Sequence, residues 1–134
     1  MRFIKPLLLL MGIAFFNLSS MPGGDIQNDW RFIADKWVNY GVDRDVIHLG
    51  NIKDDFRQLK LRITDGPLKM YDMKVHFDNG GVQDVPLRSL FRQGSETRVI
   101  DLDGGLRHLN KIEFWYETKG FRKGKARVAV WGRR

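Results

Sequence analysis

Apolar residues recur at every second position along most of the chain after residue 30, and this period limits the fold more than any other feature. A period of two indicates strands with one buried face. No segment after Gly24 shows the 3.6-residue period of an amphipathic helix. The clearest alternation lies in residues 69–78, where the apolar members are Tyr71, Met73, Val75 and Phe77. The sequence therefore predicts an all-β protein.

About eight strands are predicted, and turn residues such as Asp65-Gly66-Pro67 and Asn79-Gly80-Gly81 separate them. Pro86 places its strand at a sheet edge. The predicted strands cover residues 33–38, 45–49, 56–64, 69–78, 82–87, 97–102, 109–119 and 125–131. We expect an antiparallel β-sandwich of jelly-roll or galactose-binding-like form. Its predicted core contains Leu59, Leu61, Ile63, Met73, Val75, Phe77, Ile112, Phe114, Val128 and Val130.

The N-terminus has the pattern of a secretion signal. Arg2 and Lys5 precede an apolar run over residues 7–18, and small and turn-forming residues follow it over 19–24. The run has the length of a signal h-region, ~7–15 residues, and is shorter than the ~20 residues that span a bilayer. We expect residues 1–24 to be a signal peptide, with a periplasmic or secreted protein and no transmembrane segment after its removal. An uncleaved anchor is the alternative, because no clean A-x-A triplet precedes Gly24.

Removing residues 1–24 from the 134-residue chain leaves 110 residues, enough for one domain. We expect 25–44 to be a mobile N-terminal segment with the first strand, and 45–134 to be the β-sandwich domain. The chain has no cysteine, which excludes disulfides, thiol catalysis and cysteine zinc sites. An exported domain without disulfides suits a bacterial periplasm.

Positive charge is concentrated in the C-terminal part of the chain. Residues 25–85 hold 9 Lys and Arg against 11 Asp and Glu, a net charge of −2, whereas residues 86–134 hold 12 against 5, a net charge of +7. Such a surface favours acidic partners such as anionic lipid or acidic glycan. Export argues against nucleic acid. A basic face that serves only solubility is the alternative.

No catalytic or metal-binding set is visible in the sequence. The three histidines lie on separate predicted strands without metal-ligand spacing, and the serines after Gly24 lack a nucleophile-elbow motif. Glu113 and Glu117 share one strand face about 13 Å apart, too far for a glycosidase carboxylate pair. We therefore expect no enzyme activity, no metal and no cofactor.

The strongest candidate for a binding surface lies on the last two predicted strands. Lys111 and Trp115 face outward on one of them, and Arg127 and Trp131 face outward on the other. If the basic loop 120–124 joins the two strands as a hairpin, both tryptophans share a face. Stacking by these rings, with cations beside them, would then bind a ligand. The alternative is that both tryptophans are core residues or only cover the stems of Lys111 and Arg127.

Four stretches resemble a family of small exported bacterial proteins known only as a domain of unknown function. They are residues 71–80, 94–102, 107–116 and 129–134, and the similarity covers about 45–134. The resemblance implies an exported β-sandwich but no reaction and no functional residues. Residues 25–44 lie outside it.

Three functions are compatible with these observations. The first is a non-catalytic module that binds a protein, a glycan or an envelope surface through a sheet face. The second is an envelope protein whose basic surface associates with anionic lipid or polysaccharide. The third is a small periplasmic hydrolase with no recognisable motif.

Export with removal of the segment that ends between Ser20 and Gly24 is the first testable prediction. The charged n-region and the short apolar run are what a signal peptidase substrate requires. The intact mass of protein recovered from the periplasm measures it. A full-length mass that retains Met1 would indicate an anchor instead.

Overall fold

The computed structural model describes residues 29–40, 44–117 and 125–134. Within them the chain forms nine strands and no helix. The strands are β1 (Arg31–Asn39), β2 (Arg44–His48), β3 (Asp55–Phe56), β4 (Gln58–Thr64), β5 (Leu68–Phe77), β6 (Val82–Phe91), β7 (Ile100–Asp101), β8 (Arg107–Glu117) and β9 (Lys125–Arg133). With no helix among these residues, none is long and apolar enough to cross a membrane.

The strands form two antiparallel sheets that pack as a sandwich. The first sheet has the order β1-β9-β4-β7. The second has the order β2-β8-β5-β6, with β3 paired to β8 outside that path. The predicted all-β antiparallel sandwich is therefore confirmed.

The core lies between the two sheets and contains every residue that the alternation predicted for it. All ten are buried, with at most 3% of their surface exposed: Leu59, Leu61, Ile63, Met73, Val75, Phe77, Ile112, Phe114, Val128 and Val130. The reason is that a period of two gives each strand one apolar face, and each sheet turns that face toward the other.

The sandwich unit begins at Arg31, earlier than the boundary at residue 45 drawn from the sequence. The first predicted strand is present as β1, and it pairs along β9. Ile33 and Val38 from this strand are buried in the core. The residues before Arg31 form a separate unit, of which the structure describes Asp29 and Trp30.

Two strands depart from strict alternation. A bulge between Met70 and Asp72 in β5 turns Tyr71 away from the core, although the alternation had put it on the same strand face as Met73, and buries Met70 instead. The predicted strand 56–64 is divided at Arg57, because β3 pairs with β8 in one sheet and β4 pairs with β9 in the other. A bulge adds one residue to a strand, so that the residues before it point to the opposite face from the one that strict alternation predicts.

The prediction is also imprecise around β6 and β7. Residues 89–91 continue β6, although the predicted strand ends at residue 87. Of the predicted strand 97–102, only Ile100–Asp101 is a strand. Pro86 does lie on an edge strand, because β6 pairs with β5 alone within the described residues. The side-chain amide of Gln83 connects β6 to the other sheet by hydrogen bonds. It donates to the carbonyl oxygen of Asp101 at 2.9 Å and accepts from the backbone N–H of Asp103 at 2.8 Å.

Gly132 allows β9 to pass close to the core. A Cβ at this position would lie 2.6 Å from both Ile33 Cδ1 and Phe56 Cδ1. Both of these neighbours are buried, so that neither has open space to move into. Only glycine leaves room for them beside this strand.

Truncation of Phe114 to alanine is expected to lower the free energy of unfolding by about 3–5 kcal/mol. The ring is fully buried between the two sheets, and its removal leaves a cavity. Urea denaturation measures the change. Val82→Ala is the control, because Val82 is 49% exposed and such a change costs about 0.5 kcal/mol or less. A loss below ~1 kcal/mol for Phe114→Ala would contradict the assignment of its face.

Candidate functional site

Strands β8 and β9 do not form a hairpin sheet, and this corrects the geometry on which the predicted binding surface rests. β8 lies between β2 and β5 in one sheet, and β9 lies between β1 and β4 in the other. Trp115 and Lys111 are therefore on the outer surface of one sheet, while Trp131 and Arg127 are on the outer surface of the other. The physical reason is that β9 is paired on both sides and has no free edge for β8. The predicted loop 120–124 lies outside the described residues.

Trp131 and Arg127 belong to a surface that we call the aromatic face, the outer surface of β1, β9 and β4. Residues directly opposite each other in a sheet share a face. Phe32 is opposite Trp131, and Trp37 is opposite Arg127. The face therefore presents two ring positions, one made by Phe32 with Trp131 and the other by Trp37.

The first ring position is an edge-to-face aromatic pair. The ring centroids of Phe32 and Trp131 are 5.6 Å apart, with an angle of 73° between the planes. Phe32 is 49% exposed, and Trp131 is partly buried. The indole Nε1 of Trp131 is buried and has no hydrogen-bond partner within the described part of the chain. Packing against Phe32, rather than a hydrogen bond, holds this indole in place.

The second ring position is Trp37, which is 49% exposed. Trp37 lies on β1 and outside the core. Lys125 Nζ lies 5.4 Å from the centroid of its ring, a cation–π contact. Arg127, which is opposite Trp37, is four positions before Trp131 in β9. The two ring positions are therefore about 13 Å apart along the strand.

Charged side chains fill the surface between and beside the rings. Arg127 forms an ion pair with Asp35 between the two ring positions. Beside Trp131, Lys60 and Arg62 share the carboxylate of Glu96, at 3.2 Å and 3.4 Å. Lys60 is directly opposite Trp131 in the register. The aromatic face thus offers stacking surfaces, cationic donors and carboxylate acceptors together.

The outer surface of the other sheet, which we call the ionic face, is dominated by paired charges. Glu113 is only 13% exposed and accepts hydrogen bonds from Arg44 and from His76 Nε2, the latter at 3.1 Å. Burial alone would raise the pKa of Glu113, but the bonds from His76 and Arg44 outweigh it and lower the pKa below the ordinary value of 4.5.

Trp115 lines a depression of about 370 Å³ on the ionic face. The guanidinium of Arg44 lies 6.0 Å from its ring centroid. Lys74 Nζ donates to Asp84 at 2.6 Å beside the same depression. That hydrogen bond raises the pKa of Lys74. Two of the polar groups that line this depression therefore bond to each other, and the Arg44 guanidinium lies near its tryptophan.

Two arginines of the basic C-terminal part, Arg107 and Arg98, are bonded within the domain. Arg107 stacks on Phe77, with 3.7 Å from its guanidinium to the ring centroid, and donates to the carbonyl of Asp103. Arg98 donates to the carbonyl of Pro86. Across the described residues no group of three or more histidine, cysteine, aspartate or glutamate side chains could hold a metal ion.

The comparisons with known proteins concern family and fold. A model of the family described as Domain of unknown function (DUF2541) matches residues 7–132. The chain belongs to the DUF2541 family. The match includes residues 25–44, which the resemblance seen in the sequence had left outside. The comparison with curated proteins found no match.

Among solved structures, this DUF2541 chain is similar to AlgX of Pseudomonas aeruginosa. The two chains are 12% identical with a TM-score of 0.47, and the alignment covers 93% of this chain. The chain spans only 34% of the length of AlgX. At this score the likeness bears on neither the function nor the ligand.

The Glu113 network predicts a loss of stability in acid. A group whose pKa is lowered by folding stabilises the fold above its unfolded-state pKa, and this contribution is lost as the pH falls through the folded-state value. The difference in unfolding free energy between wild type and Glu113→Gln should be largest near neutral pH and shrink below pH 4.5. Urea denaturation across pH, after circular dichroism has shown that both proteins fold, measures it. A difference that grows as the pH falls would contradict the assignment.

Proposed function

We propose that this DUF2541 protein is an exported, non-catalytic binding module of the bacterial envelope, and that it binds glycan through the aromatic face. The observation that carries the proposal is the pair of ring positions on one sheet surface, where Phe32 and Trp37 are each 49% exposed. Burial of such a ring against a ligand is favourable, because apolar surface is removed from water. Their exposure at neighbouring positions of one sheet supports a binding role.

A glycan suits this surface better than a protein. The ion pair of Arg127 with Asp35 lies between the two ring positions, whereas the centre of a protein interface is depleted of charge. The carboxylates of Asp35 and Glu96 are partly exposed on this face. The same carboxylates and the neighbouring cations accept from and donate to hydroxyl groups, and sugar rings stack on aromatic side chains.

Export rests on the signal pattern of residues 1–24, which lie outside the described residues. The charged start, the short apolar run and the small-residue exit support a periplasmic or secreted protein. A bacterial envelope also supplies the glycans that such a module would bind. These features support one compartment for the proposed ligand and the protein.

The non-catalytic part of the proposal is supported by the chemistry of the exposed groups. Ser95 Oγ, one of two serines after Gly24, donates to the carbonyl oxygen of Arg92 at 2.6 Å. His76 is bonded to Glu113 rather than to a nucleophile. The rival is the small hydrolase, and release of reducing ends from a bound glycan would favour it over a binding module.

Binding to glycans is expected to depend on the aromatic face and not on the ionic face. Phe32→Ala and Trp37→Ala should each weaken binding by roughly two- to tenfold, because each removes about 0.5–1.5 kcal/mol of ring contact. A glycan array with wild type identifies the bound glycans, and titration calorimetry with each variant measures the loss. Both rings are half exposed, so the variants are expected to fold.

Trp115→Ala is the matched control, since it removes the same ring from the opposite sheet. It should leave the affinity unchanged. Equal losses for Trp115→Ala and Trp37→Ala, or no glycan bound by the wild type, would refute the proposed function.

A further inference from the structure

We infer that the glycan bound by the aromatic face is anionic, a polysaccharide with carboxylate-bearing sugars, held across β1 and β9 with a cation beside each ring position. This inference rests on the proposed function, because it names the class of ligand for the same face. It follows from the number of cations and acids on the face and from where they lie.

The cations lie where an acidic sugar stacked on either ring would place its carboxylate. At the Trp37 position, Lys125 Nζ is 5.4 Å from the ring centroid. At the Trp131 position, Lys60 is directly opposite the indole, and Arg62 is opposite Ala129, two residues along β9. Each ring position therefore has its own cationic neighbour within the length of one side chain.

These cations outnumber the acids beside them. Beside Trp131, Lys60 and Arg62 share the single carboxylate of Glu96, so that two cations lie beside one acid. Beside Trp37, Lys125 Nζ lies over the ring, and no carboxylate among the described residues forms an ion pair with it. The formal charge of the aromatic face is therefore positive, which makes it complementary to an anion.

The ion pair between the ring positions adds a reason for a chain-like ligand. Arg127 and Asp35 are 37% and 33% exposed, so that their outer atoms remain accessible. A ligand that reaches both rings has to span about 13 Å and pass over this pair. A polysaccharide can do this with ring stacking at both ends and hydrogen bonds in the middle, whereas a single sugar or a small anion reaches one ring only.

The test compares one polymer in two charge states. The probes are oligomers of polygalacturonic acid and the same oligomers after full methyl esterification, which removes the charge and keeps the sugar rings. Titration calorimetry with the full mature protein should show that the acidic form binds about fivefold or more tightly, from two cations at roughly two- to fivefold each. The difference should disappear as salt shortens the screening length from ~10 Å to ~3 Å.

The variant Arg62→Gln/Lys125→Gln removes one cation from beside each ring position of the aromatic face. It should bind the acidic oligomers about fivefold or more weakly and the esterified oligomers as wild type does. The matched control is Lys69→Gln/Lys111→Gln, which makes the same change in net charge on the opposite sheet. It should leave both affinities unchanged, because the effect is local to the rings.

Each other outcome overturns the inference in a distinct way. If both forms bind equally and Trp37→Ala weakens both, the face binds neutral glycan, and the proposed function stands without this inference. If neither form binds, and no other glycan does, both fail. Binding to phosphatidylglycerol vesicles without binding to the acidic oligomers would assign the face to a membrane surface. Equal losses of affinity in Arg62→Gln/Lys125→Gln and in Lys69→Gln/Lys111→Gln would show that the effect comes from net charge alone.

Discussion

The pairing of β9 with β1 on one side and with β4 on the other determines where every candidate residue lies. Its inner face, including Val128 and Val130, is fully buried, and Gly132 permits the close packing of Ile33 and Phe56. Because β9 has neighbours on both sides, β8 belongs to the opposite sheet. The outer residues of the two strands consequently point away from each other, and each sheet acquires its own tryptophan surface with its own charges.

Much of the fold could be predicted from the sequence, because the alternation of apolar and polar residues indicates directly which side chains are buried. All ten predicted core residues are in the core. The failures occur where alternation is interrupted, as at the bulge before Asp72 that exposes Tyr71, or where a strand such as β7 is two residues long. A bulge has no side-chain signature of its own, and a two-residue pairing is set by neighbouring strands rather than by local pattern.

The candidate site could be predicted only in part, for a related reason. Alternation assigns Trp131 and Arg127 to an outer surface, and the structure agrees, but alternation carries no information about which strand lies beside which. Consecutive strands can pair as a hairpin or cross between sheets with identical patterns. For this reason the sequence did not identify Phe32 and Trp37 as part of the binding surface, although both rings lie at outward positions of the first strand. Their register opposite Trp131 and Arg127 is set by contacts between residues far apart in the sequence.

The central claim is that the rings of β1 and β9, and not that of β8, form the binding surface. The most direct measurement is the set of indole N–H signals in a two-dimensional nitrogen–proton NMR titration with acidic galacturonate oligomers, assigned by single tryptophan substitutions. The account predicts that the signals of Trp37 and Trp131 shift together with a common dissociation constant, while the signal of Trp115 stays in place. A shift of Trp115 with no change at Trp37 and Trp131 would contradict it.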